Sequence, residues 1–243
     1  MTLVLAMVCS DGLILAADSA ATFIEGLKQP TLKIHRFGQS MLWAGSDHEG
    51  MLQEIETALS TGRPLDSYLK SPMYFRQQIR KVLSPLYREW STTQIPIALP
   101  NYNRPFSAHL LFVGYIAGHP YIIEVEPNCT VGQLEDYGHH AIGSAALIAQ
   151  AVLYPHRRRK PLLEVGKVIC YRVMEDAIDI APGYVAKPIH LWVIEKPSSS
   201  QTAPKVYEVV NEDVDKVKYG LNAWRTGEED LLQNIGEPPK QEQ

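Results

Sequence analysis

The first seventeen residues carry the tightest constraint on the fold. Two apolar runs, 3–8 and 13–17, flank Ser10-Asp11-Gly12. Asp-Gly between such runs is a strong hairpin signal, because both residues tolerate the left-handed backbone of a tight turn. Thr2 stands immediately before the first run, so whatever the hairpin packs against also positions the start of the chain.

The pattern then repeats with variations. A polar loop with Gly26 and Pro30 follows, and residues 32–37 and 40–44 read as a second hairpin turning at Gly38-Gln39. Met51, Ile55, Ala58 and Leu59 recur at helical spacing until Gly62 ends the run. Residues 65–90 read as helix in pieces, with Pro72 and Pro85 marking starts or kinks. Residues 95–105, rich in proline and asparagine, read as a loop. A third hairpin joins 108–116 to 121–125 through Ala117-Gly118-His119-Pro120. Residues 144–153 form a helix whose N-cap is Gly143 or Ser144. A further helix covers 162–180, strands cover 189–194 and 205–210, and a Ser/Pro loop lies between them. Sheets that need cover on one face, with helices arriving in pairs, predict a layered α+β domain over 1–210. Residues 211–243 form a charged extension, helical and then loose, and 237–243 reads as a tail.

Composition narrows the function classes. The chain has 243 residues, 45% hydrophobic and 21% charged, with a net charge of -4. This is ordinary for a globular protein and exerts no global pull on nucleic acid or anionic membrane. The first apolar run is short and lacks a basic flank, and no segment approaches about 20 uninterrupted apolar residues, so a cytoplasmic location is expected. Three widely spaced cysteines, Cys9, Cys129 and Cys170, point to neither a disulfide framework nor a zinc site. His139-His140 would face opposite ways on a strand and make a poor metal clamp. The basic run 156–160 lacks interleaved aromatics and reads as a solvated loop or a contact between subunits.

Removal of Met1, which a small second residue permits, would give Thr2 both a hydroxyl nucleophile and a free amine to act as its base. Asp18 ends the second predicted strand and Lys33 opens the third, so the two could meet near Thr2. A lysine ammonium would depress the amine's pKa from its usual 7.7–8.0 or so, and Asp18 would hold that lysine. Taken alone, the same residues also fit an unrelated surface aspartate and lysine.

The wider pattern decides between these readings. Thr2, then 16–22 (Ala-Ala-Asp-Ser-Ala-Ala-Thr), Leu32-Lys33-Ile34 and Trp43-Ala44-Gly45 resemble the β-type subunits of the proteasome family of N-terminal nucleophile hydrolases. Ala141-Ile142-Gly143-Ser144 and Glu175-Asp176-Ala177 continue the resemblance, which runs from residue 2 to about residue 195. It implies a four-layer αββα sandwich and acyl transfer without cofactor or metal. Thr2 would be the nucleophile, with Asp18 and Lys33 as the charged pair beneath it. The N–H of Gly45 would supply the oxyanion hole, and Ser144 and Asp176 would bond around the amine and hydroxyl.

The family usually has serine three residues after Asp176, where this chain has Asp179; a second carboxylate there would favour the protonated amine. Thr22 would bind substrate as an added strand. Ala21, Thr31, Trp43, Asp47 and Met51 would line the pocket before the cut, suited to small or basic side chains, although Trp43 fits a core position equally well. The loop between Asp18 and Lys33 is one residue shorter than in archaeal-type relatives, and no pro-peptide is expected, so Thr2 would depend on methionine removal.

The expectation is a threonine peptidase acting on peptides or unfolded protein inside a homo-oligomeric ring, with an ATP-dependent unfoldase as candidate partner. An amidase or transpeptidase, or a ring-forming subunit without activity, are the rivals.

Overall fold

The computed structural model describes residues 2–22, 28–47, 49–61, 64–94, 108–198 and 203–234. One antiparallel sheet contains β1 (Leu3–Val8), β2 (Gly12–Asp18), β10 (His139–Gly143), β11 (Ile189–Glu195) and β12 (Val206–Glu208), in the order β10-β1-β2-β11-β12. A second contains β5 (Ile34–Phe37), β6 (Met41–Asp47), β7 (Ala108–Ile116), β8 (His119–Val125) and β9 (Val131–Gln133), in sequential order. A ribbon of β3 (Ala20–Thr22) and β4 (Lys28–Pro30) stands apart from both.

Side-chain alternation builds the layers. Val4, Ala6 and Val8 of β1 meet Leu42 and Ala44 of β6 and Leu111 and Val113 of β7 in a core between the sheets. Leu3, Leu5 and Met7 point the other way, under α3 (Ala146–Leu153), α4 (Leu163–Ile180) and α5 (Glu212–Asn234). Met41 and Trp43 of β6 pack outward against α1 (Glu49–Ser60) and α2 (Pro72–Glu89). The result is helices, sheet, sheet, helices: the expected αββα sandwich. Because β1 and β2 are covered on both faces, they read as unbroken apolar runs.

Local chemistry sets the joints. Asp11, at the tip of the first hairpin, accepts the Leu163 N–H at 2.8 Å and so satisfies the first turn of α4. Ser71 caps α2 by accepting from Tyr74 N at 3.2 Å, with Pro72 at the first helical position, and the helix runs through Pro85. Ala117 and Gly118 turn β7 into β8 at φ of 51° and 80°, the two left-handed residues of a tight hairpin.

Several expectations need correcting. The loop proposed before Thr31 contains the β3–β4 ribbon, whose strands are only three residues each. Residues 131–143 supply β9 and β10, which were not anticipated because they are short and lack apolar alternation. The third helix starts at Ala146, since Gly143 and Ser144 are used by the backbone of Thr2 instead. The last strand shortens to Val206–Glu208. The predicted loop 95–105 and tail 237–243 lie outside the described residues.

The helix of the C-terminal segment packs on the domain. Val217 and Leu221 of α5 are buried against α4. Arg172 forms a bidentate pair with Glu228 at 2.7 and 2.8 Å and covers the Trp224 ring at 4.6 Å. No helix among the described residues is long and apolar enough to cross a membrane.

Candidate active site

Thr2 sits at the open end of β1 and is 5% exposed. Its carbonyl accepts the Ser144 N–H at 2.8 Å, the next rung of the β1–β10 ladder after Leu3–Gly143. That close approach requires glycine at 143. Its φ is 103°, and an added Cβ would lie 2.1 Å from the Thr2 carbonyl oxygen. Gly143→Ala therefore combines left-handed strain with a backbone clash, and should cost about 2–5 kcal/mol. A urea titration checks the cost, and a loss of activity larger than the lost folded fraction would show that Thr2 has been displaced.

Asp18 ends β2 and is fully buried. Its Oδ1 accepts the Leu3 N–H at 2.9 Å and the Lys33 ammonium at 2.7 Å, and its Oδ2 accepts the Ala186 N–H at 3.4 Å. The carboxylate thus ties the residue after Thr2 to the lysine of the opposite sheet and to the segment following α4. Lys33 is 7% exposed. Burial lowers its pKa from the usual 10.5, and this outweighs the opposing pull of Asp18 and Glu49.

Ile34 pairs with Ala44, so the ladder brings Lys33 opposite Gly45. A Cβ on Gly45 would lie 2.2 Å from Leu52 Cδ2, so α1 packs directly on this stretch of backbone. Strand alternation puts Thr2 on the same face as Val4 and Ala6, toward the other sheet. Thr2, Asp18, Lys33 and Gly45 therefore converge at one end of the space between the sheets.

The remaining predicted residues are placed unevenly. Ser144 contributes its backbone N–H beside Thr2. Asp176 lies on α4, where its carboxylate faces Arg225 of α5 at 3.3 Å and Arg172 at 3.5 Å. Asp179 is exposed at the end of the same helix. In the structure α5 lies against α4 and supplies an arginine to Asp176, while Ala186 is the residue after α4 that bonds to Asp18.

Trp43 is 3% exposed and stacks on His35 at 4.7 Å, and Met51 is fully buried. Both belong to the core beneath α1 and α2, so for Trp43 the core alternative holds. Thr31 is half-buried and donates its N–H to Ser19 at 2.8 Å. Ala21 and Thr22 lie on β3 opposite Gln29 and Lys28, and Asp47 ends β6. Gly143 and Ala186 were missed as parts of the site because they act through the backbone, which leaves little trace in residue type.

No family model matches the chain, and no curated protein matches it. Solved structures do. The chain superposes on the Anbu complex of Pseudomonas aeruginosa, described as a helical assembly, with a TM-score of 0.70 at 19% identity, covering 98% of both chains. For Anbu of Yersinia bercovieri, described as an ancestral β-subunit, the TM-score is 0.72 at 14% identity, covering 99% of both chains. A Gly-1 mutant of Anbu from Hyphomicrobium sp. strain MC1 gives 0.69 at 18% identity, covering 98% of this chain and 99% of that one. At these identities the likeness is one of fold: the chain has the α+β, two-sheet fold of the Anbu proteins, a proteasome-like architecture.

Proposed function

We propose that this protein is a threonine-type peptidase of the N-terminal nucleophile class, acting through Thr2 once Met1 is removed. The observation that carries the reading is the buried Asp18 carboxylate, bonded at once to the N–H of Leu3 and to the Lys33 ammonium. A buried ion pair is costly to maintain, and this one is placed directly beneath the candidate nucleophile.

In the proposed reaction the Thr2 amine takes the proton from its own hydroxyl as Oγ attacks the peptide carbonyl. The tetrahedral oxyanion forms beside Gly45, where one backbone N–H supplies roughly 3 kcal/mol. The amine's proton passes to the leaving nitrogen as the C–N bond breaks, and water then hydrolyses the ester. Lys33, kept cationic by Asp18, favours the neutral amine and so the base form. An amidase or transpeptidase would share this machinery and differ in the acceptor.

Self-assembly belongs to the same reading. The helical assembly of the Pseudomonas protein supports homo-oligomerisation, and electron microscopy of the purified protein discriminates a closed ring from an open helix. An ATP-dependent unfoldase remains the candidate partner.

Intact-mass measurement should give a chain lacking Met1, and a threonine-directed β-lactone should add to that N-terminal residue in peptide mapping. An unprocessed N-terminus in protein that hydrolyses peptides would sink the mechanism. An inert, unlabelled and correctly processed chain would favour a structural subunit.

A further inference from the structure

The space between the sheets also holds a polar group of side chains that takes no part in the proposed reaction. Ser46 follows Gly45 on β6 and is 1% exposed, and its Oγ has no hydrogen-bond partner among the described residues. A buried hydroxyl of this kind calls for an explanation, such as a ligand that supplies the missing bond. Ser46 stands on the inter-sheet face of β6 with Leu42 and Ala44, directly across from His109 of β7.

His109 Nδ1 lies 3.5 Å from Glu124 Oε1 of β8, and His140 Nε2 of β10 lies 3.0 Å from Glu124 Oε2. The cluster therefore bridges the two sheets, and it is open to solvent, with the Glu124 side chain 18% exposed. Among the described residues, no group of three His, Cys, Asp or Glu side chains has the geometry to hold a metal. Each imidazole can donate one N–H to the carboxylate, which still keeps a lone pair on each oxygen for a further donor. The two histidines hold Glu124 down to about 2 despite its burial, so it is ionised at neutral pH. The Glu124 carboxylate thus offers a negative, acceptor-rich surface, and the groups that meet it among the described residues are the two histidines.

Distance says which part of a substrate could reach it. His140 pairs with Ala6, four residues along β1 from Thr2, or about 13 Å at 3.3 Å per residue. An extended peptide covers that span in three or four residues.

We propose that Ser46, His109, Glu124 and His140 form a leaving-side subsite that binds a basic side chain on the third or fourth residue after the cut. The proposal rests on Thr2 as the nucleophile and adds a substrate class to it. Glu124 accepts the cationic group, and Ser46 bonds to the peptide backbone between that group and Thr2.

Internally quenched peptides carrying lysine or norleucine at both positions test this. Wild-type protein should favour lysine in kcat/KM by roughly tenfold, the worth of one charge-assisted hydrogen bond, and Glu124→Gln should bring the ratio close to one. A purely structural role for Glu124 would lower both rates and leave the ratio intact. That outcome, or a wild type indifferent to lysine, overturns the proposal.

A second arm works without turnover. In Thr2→Ala protein, the product-side peptide amide Ala-Ala-Lys-Lys should move the ring proton signals of His109 and His140, while its norleucine counterpart should not. Equal shifts from both peptides, or none from either, would also overturn it. Failure of Thr2 as nucleophile would appear separately, as absent labelling and absent cleavage, with the binding arm still decisive.

Discussion

Thr2→Ala is expected to reduce peptide hydrolysis to background, a loss of at least ~10³-fold, while changing stability by about 1 kcal/mol or less. Removing a nucleophile eliminates the covalent route and leaves only binding and oxyanion stabilisation, which is why such losses are far larger than those from peripheral contacts. The substitution deletes one hydroxyl and one methyl but leaves the Thr2 carbonyl bond to Ser144 and the Leu3 bond to Asp18, both of which are made by backbone atoms. Thr2→Ser keeps the hydroxyl and the amine and should retain activity. Steady-state cleavage of a fluorogenic peptide, paired with a thermal melt, checks both. Activity surviving in Thr2→Ala would place the nucleophile elsewhere.

Lys33→Met should cost both stability and activity. It leaves the fully buried Asp18 carboxylate without its ammonium partner at 2.7 Å, and breaking a buried pair from one side typically costs about 3–5 kcal/mol. At roughly 2–4 °C per kcal/mol for a chain of this size, the melting temperature should fall by about 6–20 °C. The double variant Lys33→Met, Asp18→Asn removes both charges and should recover most of that stability without recovering turnover, because neutral replacement of both partners is far cheaper than stranding one. Recovery of activity in the double variant would contradict the electrostatic role given to Lys33.

A pH signature accompanies this pair. Because Lys33 holds its proton less tightly in the folded state than the usual 10.5, the unfolded chain binds more protons between the two values. This group alone therefore makes stability rise with pH across that interval, an increment that Lys33→Met should lack.

Much of the architecture was legible because strong local signals agreed with the tertiary outcome. Asp11-Gly12 set the first hairpin, the period change at Met51 marked α1, and Ser71-Pro72 opened α2, each through chemistry confined to a few neighbouring residues. Their strand-end positions allowed Asp18 and Lys33 to meet without requiring it, and the resemblance to proteasome β-type subunits is what paired them; the structure shows the bond at 2.7 Å. Strand β10 was illegible: His139 and His140 carry no strand pattern, and the segment is held by its ladder to β1. The arginine partners of Asp176 were illegible for a related reason. Its motif matched, but α5 packs on α4 and brings Arg225 to its carboxylate, and sequence spacing does not tell which neighbour reaches a side chain first.

By itself, then, the sequence determined the alternation of hairpins and paired helices, since these depend on turn chemistry, period and residue type, while the candidate nucleophile and its charged pair came from the order of motifs that resembles the proteasome β-type subunits. Only the tertiary structure decided that β10 pairs with β1 beside Thr2, that Ser46 is buried without a hydrogen-bond partner among the described residues, and that His109, Glu124 and His140 meet across two sheets. Those features arise from contacts between residues up to about 140 positions apart. They exist only once two independently twisted sheets have been pressed together and their facing side chains have found what lies opposite.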